Sequence, residues 1–207
     1  MATTYEDTSL TLIFTPSNPI NTTITNARDG ALLYRVVTEF GSKSSHTETR
    51  VVSATGETLA SWVWKQIRPD ILTLGNAAPV SMSTWLKKSM MPFNDTTTFS
   101  IPTDPSKEYQ WKGHTLSSKD DKSDSIAVFT PSRWIPRSRL TPEEMKSGIR
   151  STPAKLVVDA EGKEILDYII ISFSVLERQR RAKENNRNSV NEGRIIASST
   201  LAPMTAV

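Results

Sequence analysis

The sequence predicts a mainly β fold, a sandwich or barrel of short antiparallel strands, and three observations carry that reading. Short segments of alternating apolar and polar residues recur between Leu10 and Val158, separated by Gly and Pro. No helical repeat interrupts them. After everything that reads as sheet comes the most apolar run of the chain, Ile165 to Leu176 (ILDYIIISFSVL). That run has no polar face at either helical or strand period, so protein must surround it.

The strands follow in order. In SLTLIFTP, Leu10, Leu12 and Phe14 alternate with Thr11, Ile13 and Thr15 before Pro16 and Pro19 break the pattern. Asp29-Gly30 is a preferred pair for a tight primed turn, so Ile24 and the Leu33, Tyr34, Val36 segment form a hairpin around it. A second strand–turn–strand unit runs from Thr49 through Gly56 to Trp62 and Trp64. Asp70 to Gly75 reads as a short strand. Pro79 to Met91 holds either a helical turn capped by Ser83 or a continuing strand. Further strands are expected around Phe99 and Ile101, at Tyr109 to Trp111 before a turn at Gly113, at Ile126 to Phe129, and at Leu156 to Val158 before a turn at Gly162. Thr141-Pro142-Glu143-Glu144 has the order of a helix start, within a proline-rich connection over 131–150.

Composition narrows the function classes. Lys and Arg number 25 against 22 Asp and Glu, a net charge of +3, which is far from the basic stripe of a nucleic-acid binder. No cysteine is present, which removes disulfides, thiolate metal sites and Cys nucleophiles together. Met1 to Asp7 lacks the features of a secretory signal. The apolar run, about 12 residues, is shorter than the roughly 20 needed to span a bilayer. The expectation is a cytoplasmic protein, at most peripheral to a membrane, and a monomer.

Whether the apolar run is strand or helix is finely balanced. Its Ile, Phe, Tyr and Val favour a strand. However, Gly and Pro are absent from Glu164 to Lys183, with Glu164 and Asp167 at the front and Arg178, Arg180, Arg181 and Lys183 at the back. That polarity complements a helix dipole and tips the reading to helix. About 18 residues would reach roughly 27 Å, enough to thread a barrel.

The Asp29-Gly30 hairpin, the Gly56-Glu57-Thr58-Leu59-Ala60-Ser61-Trp62 strand start, and Leu156-Val157-Val158 leading into Asp167 to Leu176 carry a resemblance. They are similar to an uncharacterised domain family of basidiomycete fungi, which in turn resembles the tubby C-terminal, LURP-one-related and phospholipid scramblase group. The resemblance implies a closed antiparallel β-barrel, tubby C-terminal-like, around a buried hydrophobic C-terminal helix. The likeness covers most of residues 9–182, so a single barrel domain is expected over 9–183 after a flexible N-terminus over 1–8, and the Asn-, Ser- and Thr-rich composition beyond Lys183 predicts a disordered polar tail over 184–207. Tubby domains are associated with phosphoinositides, so it also implies anionic lipid head groups as a partner, beside an unknown protein partner. It speaks to fold rather than to function.

Candidate chemistry is sparse. His46 and His114 sit far apart in polar stretches, and solvated loop histidines are the plainer reading of both. Asp120, Asp121 and Asp124 lack the spacing and central Gly of a calcium loop. No Gly-x-Ser-x-Gly, Walker-type or dinucleotide motif occurs. Trp62, Trp64, Trp85 and Trp111 read as core. Trp134 stands apart, flanked by Arg133, Arg137 and Arg139 in a proline-kinked loop that suits an anionic surface, although an ordinary solvated loop would look the same. Arg178 and Arg181, sharing a helical face, form a second basic cluster that suits anionic lipid, although its plainer role is to complement the helix end. The expected function is a non-enzymatic binding module with no cofactor and no metal. The alternative is a small-molecule-binding protein or hydrolase with a pocket at the barrel mouth.

Overall fold

The structure, a computed structural model, describes residues 9–40, 47–64, 70–90, 95–121, 124–148 and 150–199; the side chains of Phe40, Arg137, Glu144, Ser147 and 188–199 lie outside that description. His46 and residues 1–8 and 200–207, for which the sequence supplied expectations, also lie outside it.

The first half of the chain gives β1 (Leu10–Thr15), β2 (Thr22–Asn26), β3 (Leu32–Phe40), β4 (Thr47–Ser53), β5 (Thr58–Trp64), β6 (Ile71–Leu74) and β7 (Val80–Ser81). A single turn, α1 (Met82–Trp85), leads to β8 (Lys87–Lys88), β9 (Thr96–Ile101), β10 (Asp104–Lys112), β11 (Thr115–Ser118) and β12 (Ser125–Thr130). An excursion follows, with β13 (Arg133–Trp134), a 3-10 turn (Arg137–Arg139), α2 (Pro142–Ser147) and β14 (Ser151–Thr152). The chain ends in β15 (Ala154–Val158), α3 (Ala160–Glu164) and α4 (Leu166–Ser199).

Thirteen strands form one antiparallel sheet in the order β7-β6-β5-β4-β3-β2-β1-β15-β12-β11-β10-β9-β8. The strand alternation read in the sequence is the alternation that buries: Leu12 and Phe14 of β1, Ile24 of β2, Tyr34 and Val36 of β3, and Ala60 and Trp62 of β5 all face the core. β13 and β14 pair only with each other, off the main sheet.

The apolar run is the start of α4. Ile169, Ile170, Ile171, Ser172, Phe173, Ser174 and Val175 are all buried, so every face of that helix segment is covered. What covers it comes from distant strands. Tyr34 of β3 donates to Asp167 at 2.6 Å, and Phe173 packs on Phe14 of β1 and Phe129 of β12, with ring centroids 5.4 and 4.4 Å apart. Trp111 of β10 donates to Ser172 at 3.0 Å, and Arg178 lies over the Trp64 ring of β5. One helix meeting strands that far apart in the sheet order requires the sheet to curl about it.

Several expectations need correction. Among the described residues, hydrogen bonds do not close the sheet into a barrel: its edges are β7 and β8, two residues each, and they are joined through α1 instead. The hairpin at Asp29-Gly30 exists, but its loop is four residues rather than two. Asn26 N donates to Ala31 O at 2.9 Å, and only Gly30 takes positive φ there (73°). The Asn26 and Asp29 side chains accept from Arg28 N and Ala31 N, which stabilises the wider loop. Ser81, not Ser83, precedes α1, and it makes no side-chain cap. Gly162 is not a turn glycine but a buried residue inside α3, whose N-cap Asp159 accepts from Gly162 N at 2.7 Å. The last helix, α4, runs on to Ser199.

Candidate binding cleft

A cleft of about 410 Å³ opens where α4 leaves the core, between the β10–β11 turn and the edge strand β8. Helical spacing places its helix-side residues: Phe173, Leu176, Glu177, Arg180, Lys183 and Glu184 follow at intervals of one or three along α4. From the sheet side, Lys112 and Thr115 pair across a two-residue turn, so His114 stands at its tip beside Gly113 (φ 60°). The His114 carbonyl accepts from Phe129 N at 2.9 Å, which fixes the turn against β12.

Glu177 is the buried charge of the site, its side chain 2% exposed. Arg180 Nε and Nη2 each donate to its carboxylate at 2.8 Å, a bidentate fork, and Arg181 Nε donates to Oε1 at 2.8 Å. Burial pushes the Glu177 carboxyl up, but the hydrogen bonds and charges of the two guanidiniums outweigh it and hold the group below the usual carboxylate range. His114 Nε2 lies 3.6 Å from Glu177 Oε2, beyond hydrogen-bond length, and its ring meets Phe129 edge-on. His114 is therefore not the solvated loop histidine expected from the sequence. It is partly buried and faces a carboxylate 63 positions away.

On the outer wall, Lys88 of β8 and Lys183 of α4 line the cleft together, with Asp95 3.2 Å from Lys88. The influence of Lys88, together with burial, holds Lys183 below the usual lysine range. Arg187 completes the rim, and Arg180 also pairs with Glu184. The cleft thus presents four cationic side chains, Lys88, Arg180, Lys183 and Arg187, against Asp95, Glu177 and Glu184. Trp111, Phe173 and Leu176 make its apolar floor.

The residues singled out in the sequence fall in two places. Arg133 and Trp134 lie side by side on β13, and Arg139 is exposed nearby; Trp134 is 66% exposed. Arg137 is in the same 3-10 turn as Arg139, its side chain outside the described part. Arg178 and Arg181 belong to α4 and are not brought to that excursion. Arg178 sits 3.2 Å from the Trp64 ring centroid, while Arg181 holds Glu177 and donates to Ser17 O at 2.6 Å. Sequence reasoning missed His114, Glu177, Lys88 and Lys183 as a group. A charged residue one step beyond a fully apolar run, as Glu177 is, was the one available signal.

The chain is thus a mainly β protein, a large antiparallel sheet with a C-terminal helix in its core and a charged cleft where that helix emerges. It belongs to the family of unknown function DUF6593, which matches residues 17–182. Among solved structures, the chain is similar to the X-ray structure of a protein from Arabidopsis thaliana, with 10% identity and a TM-score of 0.33, covering 81% of this chain and 91% of that one. No curated protein matches it. Among the described residues, no helix is long and apolar enough to cross a membrane.

Proposed function

We propose that this chain is a non-enzymatic binding module that attaches to anionic membrane surfaces through the excursion between β12 and β15. The observation that carries the reading is Trp134, exposed on β13 beside Arg133 while Trp62, Trp85 and Trp111 are buried. Residues 131–153 hold Arg133, Arg137, Arg139, Lys146 and Arg150 against Glu143 and Glu144. An indole suits the head-group region, and each basic residue near an anionic surface contributes about 1 kcal/mol. Attachment of this kind is weak and salt-sensitive. The scaffold, in its finer form, is the barrel of the tubby C-terminal and LURP-one-related group, with α1 bridging the two sheet edges in place of a hydrogen-bonded seam. Co-sedimentation with vesicles, with and without anionic lipid and at raised salt, tests the proposal. Binding should need anionic lipid, weaken with salt, and fail when Arg133, Arg137 and Arg139 are replaced together by Gln. Binding indifferent to lipid charge would sink it.

His114 beside Glu177 in a cleft supports the second reading, a small-molecule-binding protein or hydrolase. The two arginines on Glu177 argue for binding over catalysis, because they stabilise the ionised carboxylate and make it a weak base. Turnover of ester substrates that disappears in His114→Ala would reverse that preference.

A further inference from the structure

We propose that the cleft between β8, the β10–β11 turn and α4 binds a small phosphate monoester, with Lys88 and Lys183 holding the phosphate dianion. This site is separate from the excursion carrying Trp134, and the inference does not depend on it. Two ammonium groups lining one cleft repel each other, and the carboxylate 3.2 Å from Lys88, Asp95, is 83% exposed and therefore well screened. A dianion seated between them replaces that repulsion with two charge-assisted contacts, a role to which lysine is well suited. A bound dianion would offset the influence of Lys88 that, with burial, holds Lys183 below the usual lysine range.

The rest of the cleft fits the body of such a ligand. Arg180 and Arg187 extend the positive side, whereas Glu177 is fully engaged by Arg180 and Arg181 and presents little uncompensated charge. The rings of Trp111 and Phe173, 6.0 Å apart at their centroids, supply an apolar floor for a ring or sugar. His114, at the tip of the β10–β11 turn, lines the same cleft. A volume of about 410 Å³ is of the order of small-molecule sites, roughly 300–1,000 Å³.

The test is calorimetric titration of the full chain with phenyl phosphate, inorganic phosphate and benzoate, and of the Lys88→Gln/Lys183→Gln variant with the same probes. Both lysines are exposed, so the variant should keep the wild-type melting temperature and circular dichroism. Phenyl phosphate should bind saturably and more tightly than inorganic phosphate or benzoate. The double variant should lose more than about tenfold in affinity, as expected for two lost charged hydrogen bonds. Unchanged affinity in the variant, or no saturable binding of phenyl phosphate by the wild type, would overturn the proposal. Vesicles of phosphatidic acid and of phosphatidylglycerol at equal surface charge identify the source. Lysine-dependent retention on phosphatidic acid alone assigns the phosphate to a lipid head group. Lysine-dependent binding of phenyl phosphate without such retention assigns it to a soluble metabolite.

Discussion

Trp111 of β10 donates its indole N–H to Ser172 Oγ at 3.0 Å, and Ser172 in turn donates to the Ile169 carbonyl at 3.1 Å. Both side chains are buried, so the relay joins the sheet to the first turns of α4 where water does not compete. Ser172→Ala leaves the buried indole N–H without its acceptor, at a cost of about 1–3 kcal/mol. Urea denaturation should show a lowered midpoint with an unchanged slope. A midpoint equal to wild type would mean that Trp111 finds another acceptor.

Gly162→Ala should destabilise the protein although Ala is the better helix former. A Cβ at this position would press on Val158 Cγ1 and lie 2.9 Å from Ile126 Cγ2 and 3.1 Å from the Ile126 carbonyl oxygen. One of these is backbone and cannot turn aside, so overpacking of about 1–3 kcal/mol is expected. Thermal unfolding measures it; a raised melting temperature would show that α3 can lift off the sheet at little cost.

Glu177 makes the protein acid-sensitive. Its carboxyl pKa is lower when folded than the ordinary 4.5, so the stability it contributes is present above pH 4.5 and is lost as pH falls through the folded value. Glu177→Gln should lower stability by roughly 3–5 kcal/mol at neutral pH, because Arg180 and Arg181 lose a buried counter-charge. The gap between variant and wild type should then narrow as pH falls below 4.5 and the wild-type carboxylate is protonated. Urea midpoints at several pH values read this directly. A gap that does not change with pH would mean Glu177 stays charged throughout or never mattered.

Tyr34 behaves oppositely. Burial, reinforced by its hydrogen bond to Asp167, pushes the phenol above its ordinary value of 10.0. Its contribution is present below pH 10.0 and is lost as pH rises beyond it. In an absorbance titration Tyr34 and the buried Tyr109, also shifted upward chiefly by burial, should ionise only as the protein unfolds. Tyr34→Phe should remove one lagging group and cost about 1–2 kcal/mol. Ionisation of every tyrosine at the ordinary pH in the folded protein would contradict the Tyr34–Asp167 geometry.

What the sequence made legible was whatever local periodicity encodes. Alternation placed Leu12, Phe14, Ile24 and Val36 on the core face, and Gly30, Gly56 and Gly113 marked turns where the backbone takes positive φ. The charge order around Ile165 to Leu176 outweighed a strand-like composition, and the segment is helical because curling the sheet about it satisfies every face at once. The cleft was not legible, because its partners are brought together only by folding: Lys88 and Lys183 are 95 positions apart, His114 and Glu177 63. Arg178 and Arg181 looked like a free basic face for the same reason. Their partners, Trp64 on β5 and Ser17 after β1, belong to strands whose positions in the sheet no local pattern announces.

The helix at the centre of the sheet is also the last part of it to be synthesised. While the ribosome delivers β1 through β15, the strands have no Ile169, Ile170 or Phe173 to close upon, and their inner faces stay wet. A nascent chain stalled before residue 166 is therefore a sheet without its interior, exposed to chaperones and to proteolysis until the segment beginning at Leu166 arrives.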